Sequence, residues 1–152
     1  MFLRDLVFLQ YYSLGVDLRG IRMIPERMKD IVHTDNAPEA VGAYNQATIT
    51  ENLVFTAGQL PMTADGELLD DEPIDVQTEQ ALSNIKAVLE EAGSGMDNAL
   101  KVTVYLDDID SFDSMNETYS SFFDEEAPAR SAVEVANLPK GVGVEIEAIA
   151  AR

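Results

Sequence analysis

The stretch Lys101–Val135, KVTVYLDDIDSFDSMNETYSSFFDEEAPARSAVEV, decides the fold. Residues Lys101–Leu106 alternate between apolar and polar side chains, which is typical of a half-buried strand. Ser111 can cap the helix that follows. The apolar stripe of that helix consists of Phe112, Met115, Tyr119, Phe122 and Phe123. Pro128 ends the helix and Ala129–Val135 resumes as a strand, so the stretch predicts a strand–helix–strand unit.

The flanking sequence extends this unit into one sheet. Apolar residues of Asp75–Ala92 recur at helical spacing, and Gly93 stands where a helix ends. Three strands are predicted before it: Ile31–His33, Ala47–Thr50 and Leu53–Gln59. The last strand, Val142–Ala151, follows a turn at Leu138–Gly141. The order β-β-β-α-β-α-β-β predicts an α+β fold, one mixed sheet with two helices packed on one face.

The chain divides into two parts by composition. Its 152 residues are enough for one core and too few for two ordinary domains. Residues 1–27 differ in composition from the rest, and we interpret them as a disordered extension or a mis-called start. A short anchoring helix is the alternative. The folded domain is expected to cover residues 28–152.

Composition excludes several functional classes. The chain has no cysteine, which rules out disulfides and thiolate chemistry, and it has one histidine, His33. Neither a metal site nor a phosphate-binding glycine loop is predicted. No apolar stretch reaches the length of a membrane span, so we expect no membrane partner. The absence of cysteine fits an intracellular reducing compartment, and we expect a cytoplasmic location.

The charge of the chain is strongly negative. It carries 28 acidic residues against 10 Lys and Arg, a formal net charge of −18. Phosphate binding needs clustered cations, so no nucleic acid partner is expected. Self-repulsion of this size weakens a compact state unless salt screens it. The sequence therefore predicts an acidic, halophilic protein from a high-salt cytoplasm.

Arg130 is the principal candidate for a binding residue. Strand alternation places Arg130 and Ala132 on one side and Val133 on the other. We take the side of the strand that carries Val133 to be the core, so that Arg130 lies on the opposite side, away from the core. A salt-bridged strand arginine fits the pattern as well as an anion site does. The scarcity of cations and the small neighbour Ala132 favour an anion site, where the guanidinium would hold a carboxylate.

Four further residues are candidates for binding or catalysis, and each can also be explained by a structural role. Glu145 lies on a strand face and could orient water as a general base, or could be solvated surface. Gly58, late in a strand, indicates either close backbone approach to a ligand or a bulge. Tyr44 is an aromatic residue on a loop, a modest sign of binding. Asn116 flanks the apolar stripe of the second helix, where an amide more often makes a helix-packing hydrogen bond.

These segments, taken in order, resemble the RidA family of reactive intermediate deaminases, also called the YjgF family. The resemblance runs from about Lys29 to Arg152. The matching segments are APEAVGAYNQA (37–47), VFTAGQLP (54–61), QALSNI (80–85), KVTVYL (101–106), NETY (116–119), PARSAVEV (128–135), LPK (138–140) and VEIEAIA (144–150).

The resemblance implies a chorismate-mutase-like fold assembled as a homotrimer, with ligand sites in the clefts between subunits. It implies a 2-iminobutanoate/2-iminopropanoate deaminase, a hydrolase acting on C=N bonds that releases 2-keto acids and ammonia without a cofactor. In that family picture Arg130 holds the carboxylate and Glu145 positions the attacking water. Gly58 supplies backbone contacts, and Tyr44 and Asn116 line the cleft.

The chain also departs from the family pattern. Members often have Pro, Ser and Cys where this chain has Ala43, Ala57 and Ala132, which leaves the substrate range open. The proposed attack by water needs no thiol at position 132. The alternative function is a non-catalytic trimeric regulator that binds small carboxylates.

Overall fold

The computed structural model describes residues 29–123 and 125–152, and the predicted extension over residues 1–27 lies outside them. The six strands are β1 Asp30–Val32, β2 Ala47–Ile49, β3 Leu53–Thr56, β4 Ala99–Leu106, β5 Ala129–Glu134 and β6 Val144–Ala151. The two helices are α1 Ile74–Glu91 and α2 Phe112–Ser120. Among the described residues, no helix is long and apolar enough to cross a bilayer.

The strands form one sheet in the order β1-β2-β3-β6-β4-β5. All neighbouring strands are antiparallel except β4 and β5, which run parallel and are joined through α2. The predicted order of elements and the mixed sheet are confirmed. Predicted and observed element ends differ most at β3 and α2. Strand β3 ends at Thr56, which pairs with Ala47 at the start of β2, and α2 ends at Ser120, well before Pro128.

Helix α1 forms because its apolar residues recur on one side. Its fully buried face carries Ala81, Leu82, Ile85, Val88 and Leu89. Gly93 ends the helix in the left-handed region, φ +78, where a residue without Cβ is least strained. The helix begins one residue before the predicted start, after Pro73. Its packing against β6 and α2 closes the core over one face of the sheet.

Alternation along β6 separates two faces of the sheet. Val144, Ile146, Ala148 and Ala150 are buried under the helices, whereas Glu145 and Glu147 point to the opposite side. We call that opposite side the open face, because no helix of the described residues covers it. Exposed Phe55 belongs to it through its pairing with Ile149.

The assignment of the faces of β5 from sequence was wrong. In the parallel register with β4, Arg130 pairs with Val102, which is fully buried, so Arg130 lies on the helix side. Val133 pairs with Tyr105 on the open face and is 43% exposed. The valine side of β5 is therefore not the core, because α2 packs on the side of the sheet that carries Arg130.

Candidate active site

The five candidate residues fall into two groups. Tyr44 and Gly58 line one cavity of about 280 Å3, and Glu145 lies against Gly58. We call these three residues the acid half-site. Asn116 and Arg130 line a second cavity of about 310 Å3 and form the arginine half-site.

Gly58 and Glu145 are brought together by a pair of backbone hydrogen bonds. The Gln59 amide donates to the Ile146 carbonyl at 2.7 Å, and the Ile146 amide donates back at 3.1 Å. A Cβ atom on Gly58 would lie 2.8 Å from Cδ of Glu145 and nearer still to its Oε1. The close approach of this carboxyl group, not an unusual φ, is what requires glycine at position 58.

The carboxyl group of Glu145 is held in a half-buried place. Burial raises its pKa above the ordinary glutamate value, and the charge of Glu147 raises it further. Glu147 itself accepts a hydrogen bond of 3.0 Å from the hydroxyl of Tyr105. A carboxyl group with a raised pKa is closer to the range in which it can both accept and return a proton near neutral pH.

Two buried amide side chains hold the loops around Gly58. The side-chain carbonyl of Gln46 accepts a hydrogen bond from the backbone amide of Thr34 at 2.7 Å. The side-chain NH2 group of Gln46 donates to the backbone carbonyl of Pro38 at 2.8 Å. Asn84 of α1 donates to the Met62 carbonyl at 2.8 Å. These bonds fix the loop before exposed Tyr44 and the loop after Gly58, so the walls of the acid half-site are attached to the core.

In the arginine half-site, the guanidinium of Arg130 lies on aromatic rings. Its central carbon is 4.4 Å from the ring centroid of Tyr119 and 5.5 Å from that of Phe112. No carboxylate of residues 29–123 or 125–152 forms an ion pair with it. The alternative of a salt-bridged strand arginine therefore has no support in the described part of the chain.

Tyr119 and Asn116 complete the surroundings of Arg130. Burial raises the pKa of Tyr119 while the charge of Arg130 lowers it in part, so the phenol is neutral at ordinary pH. Asn116 is half-buried, and its side-chain amide has no hydrogen-bond partner among the described residues. Instead its backbone carbonyl accepts from Ser120 at 2.7 Å, so the helix-packing role considered from sequence is not observed.

One chain does not bring its two half-sites together. Arg130 is level with Val102 of β4, and Glu145 is level with Tyr105. Arg130 and Glu145 are thus three residues apart along the strand direction and two strands apart across the sheet. Their Cα atoms are therefore separated by about 14 Å. The two side chains also point to opposite faces of the sheet, so one small ligand cannot contact both within this chain.

Sequence reasoning missed three residues around the cavities. Phe112 and Tyr119 were assigned only to the apolar stripe of α2, because a helical pattern does not reveal which strand residue the stripe meets. Lys140, with a left-handed φ of +61 in the predicted turn, lines the Tyr44 cavity. The sequence signals at this position were the scarcity of positive charge and the matching LPK segment, and neither indicated a cavity.

The chain matches known proteins over most of its length. A family model described as Endoribonuclease L-PSP matches residues 34–152. A RutC family protein of Pyrococcus horikoshii is 50% identical over 124 residues, which are 81% of this chain and 98% of that protein. The 2-iminobutanoate/2-iminopropanoate deaminase of Escherichia coli K12 is 44% identical over 131 residues, covering 82% of this chain and 99% of that protein.

The fold of this chain is also similar to solved structures. The crystal structure of Escherichia coli TdcF with bound serine superimposes with a TM-score of 0.77 at 42% identity, covering 81% of this chain and 98% of that chain. Fold and sequence thus point to the same group of proteins. The chain therefore belongs to the Endoribonuclease L-PSP family, which is the RidA or YjgF family that its motifs resemble.

Proposed function

We propose that this protein is a cofactor-independent deaminase that hydrolyses 2-imino acids, such as 2-iminobutanoate and 2-iminopropanoate, to 2-keto acids and ammonia. The observation that carries the proposal is the half-buried carboxyl of Glu145 beside the bare backbone of Gly58. The 44% identity to the Escherichia coli deaminase supports the same reaction. One water is consumed, and the C=N bond is replaced by C=O.

The proposed mechanism assigns one task to each half-site. Arg130 binds the substrate carboxylate through its guanidinium N–H groups. Glu145 takes a proton from water as the water oxygen bonds to the carbon of the protonated imine, which gives a carbinolamine. The same carboxyl group returns that proton to nitrogen and then takes the proton of the carbinolamine hydroxyl, so that the C–N bond breaks as the C=O bond of the ketone forms. Ammonia leaves and carries that last proton away as ammonium. The iminium carbon is already electrophilic, so orientation and one proton shuttle suffice.

We propose that a complete site forms between copies of the chain, in a homotrimer. The separation of Arg130 from Glu145 within one chain, about 14 Å and on opposite faces, supports this arrangement. The exposed open face, with Phe55 and Val133 at its surface, is the kind of apolar surface that a second subunit covers. The arginine half-site of one subunit would then meet the acid half-site of the next.

Ammonia release from freshly generated 2-iminobutanoate tests the proposal. The imine is produced in place by a pyridoxal-phosphate-dependent dehydratase, and the protein is added in high KCl. We expect wild type to accelerate ammonia release, and Arg130→Ala and Glu145→Gln each to remove most of that acceleration. Lys86→Ala and Glu90→Gln, at exposed positions of α1, are the charge-matched controls and should keep it.

Two other outcomes would point to different functions. Tight binding of 2-ketobutyrate without any acceleration would favour the small-carboxylate-binding regulator. Cleavage of RNA that persists through purification and is lost in Arg130→Ala would favour the ribonuclease activity for which the matched family model is named. The net charge of −18 argues for the small-molecule substrate, because RNA phosphates are repelled by it.

A further inference from the structure

The inner face of α2 carries two aromatic rings that both meet Arg130. Phe112 and Tyr119 are seven residues apart, a spacing that puts them on the same side of a helix. Arg130 enters from β5 and places its guanidinium carbon 4.4 Å from the Tyr119 ring and 5.5 Å from the Phe112 ring. The cation is therefore held by two aromatic faces.

Packing an arginine against aromatic rings has a different effect from pairing it with a carboxylate. A carboxylate partner neutralises the guanidinium and occupies its N–H donors, whereas a ring attracts the charge and leaves the donors at the edge available. No acid of the described residues takes those donors. An arginine that must bind a substrate carboxylate needs both an intact charge and available donors.

We propose that Tyr119 is a positioning residue for the deaminase reaction, with Phe112 as its second contact: its ring orients Arg130 toward the substrate carboxylate. This inference rests on the proposed function. Tyr119 does not touch the substrate in this role, and its effect on binding passes through Arg130.

Burial and packing make the Tyr119 ring a fixed support. Tyr119 is only 4% exposed, and its ring centroid lies 4.7 Å from that of Phe123. Its hydroxyl is buried and has no hydrogen-bond partner among the described residues. The ring, and not the hydroxyl, is thus the part of the side chain that acts on Arg130.

Steady-state kinetics of imine hydrolysis test the role. We expect Tyr119→Leu to raise KM for 2-iminobutanoate about tenfold and to change kcat by less than about threefold, since only the hold on the carboxylate is weakened. Tyr119→Phe keeps the ring and should stay within about twofold of wild type in both constants. Val88→Ala truncates a buried side chain of α1 that does not line the Arg130 cavity, so it controls for lost stability and should leave KM unchanged.

A double-mutant comparison separates this role from general packing. In an Arg130→Gln background, Tyr119→Leu should lower kcat/KM by less than about twofold, because the group through which it acts is gone. An equal tenfold loss in both backgrounds would overturn the proposal. So would a rise in KM in Val88→Ala as large as that in Tyr119→Leu.

Side-chain NMR tests the contact without any substrate. The guanidinium carbon of Arg130 lies 4.4 Å from the Tyr119 ring centroid, so the neighbouring δ-methylene protons should show ring-current shifts in wild type and Tyr119→Phe. These shifts should become much smaller in Tyr119→Leu, where only the more distant Phe112 ring remains. Unchanged shifts in folded Tyr119→Leu would refute the positioning role. If wild type shows these shifts but neither hydrolyses the imine nor binds 2-ketobutyrate, the proposed function has failed while the aromatic contact stands.

Discussion

The carboxyl group of Glu145 occupies the space that a side chain on Gly58 would need. A Cβ atom placed on Gly58 would be 2.8 Å from Cδ of Glu145 and 3.0 Å from its Cγ. The three nearest atoms all belong to the flexible side chain of Glu145. A substitution at position 58 therefore moves the proposed catalytic group without disturbing the sheet.

For Gly58→Ala we expect a large loss of activity with little loss of stability. The added methyl group displaces the Glu145 carboxyl by about 1 Å or more, and a misplacement of that size can cost about a hundredfold in rate. The free energy of unfolding should change by less than about 1 kcal/mol, because a side-chain end can swing aside. Ammonia release and urea unfolding in high KCl measure the two effects.

Gly95→Ala is the matched control for that substitution. A Cβ at Gly95 would meet nothing within 4 Å, and its φ of −179 is extended backbone that alanine adopts freely. Both activity and stability should stay close to wild type. Equal activity losses in the two variants would contradict a specific role for the space beside Glu145.

The pH dependence of activity should report the pKa of Glu145. Glu147 raises that pKa, so Glu147→Gln should lower it while an amide oxygen still accepts from Tyr105. If Glu145 acts as the base, activity rises as it loses its proton, and the acidic limb of the kcat/KM profile should move to lower pH. Profiles of wild type, Glu147→Gln and the exposed control Glu90→Gln decide this. An acidic limb that stays in place would contradict the assignment.

Glu145→Gln should be more stable than wild type at neutral pH. The folded-state pKa of Glu145 is raised above the unfolded value, so the folded protein keeps the proton more strongly. Wild type therefore loses stability as pH rises from the unfolded pKa, about 4.3, through the folded pKa. The advantage of Glu145→Gln should appear above that window and vanish below it in unfolding experiments across pH. An advantage that is constant from pH 3 to 7 would exclude ionisation as its cause.

The sequence predicted the order of elements because that order depends on local periodicity. In α1, for example, the spacing of Ala81, Leu82 and Ile85 and the stop at Gly93 required no knowledge of the rest of the chain. Local periodicity did not predict which face of β5 is buried. Alternation separated Arg130 from Val133 but did not say which side was covered, since that depends on the register with β4 and on where α2 packs.

The sequence proposed members for the candidate site but did not predict their arrangement. Motif resemblance identified Tyr44, Gly58, Asn116, Arg130 and Glu145, and the structure groups them into two half-sites. The division between the two faces of the sheet follows from long-range pairing among β5, β4 and β6, which local patterns do not contain. The contact of Arg130 with Tyr119 depends on the same pairing.

Removing the hydroxyl of Tyr119 should stabilise the fold. This oxygen is buried and unpartnered within the described part of the chain, and an unsatisfied buried polar group costs about 1 kcal/mol or more. For Tyr119→Phe we therefore expect the free energy of unfolding to rise by about 1 kcal/mol. Urea unfolding in high KCl measures it. A loss of stability would mean that the hydroxyl has a partner in the assembled protein.

The net charge of −18 makes stability depend on salt. The Debye length falls from about 10 Å at 0.1 M to about 3 Å at 1 M, so KCl should relieve repulsion among surface carboxylates and raise the thermal midpoint. The variant Glu79→Gln, Glu90→Gln, Glu91→Gln removes three exposed charges from α1. It should be more stable than wild type at low salt and gain less from KCl. A midpoint that falls with KCl, or an unchanged salt response in the triple variant, would contradict self-repulsion as the cause.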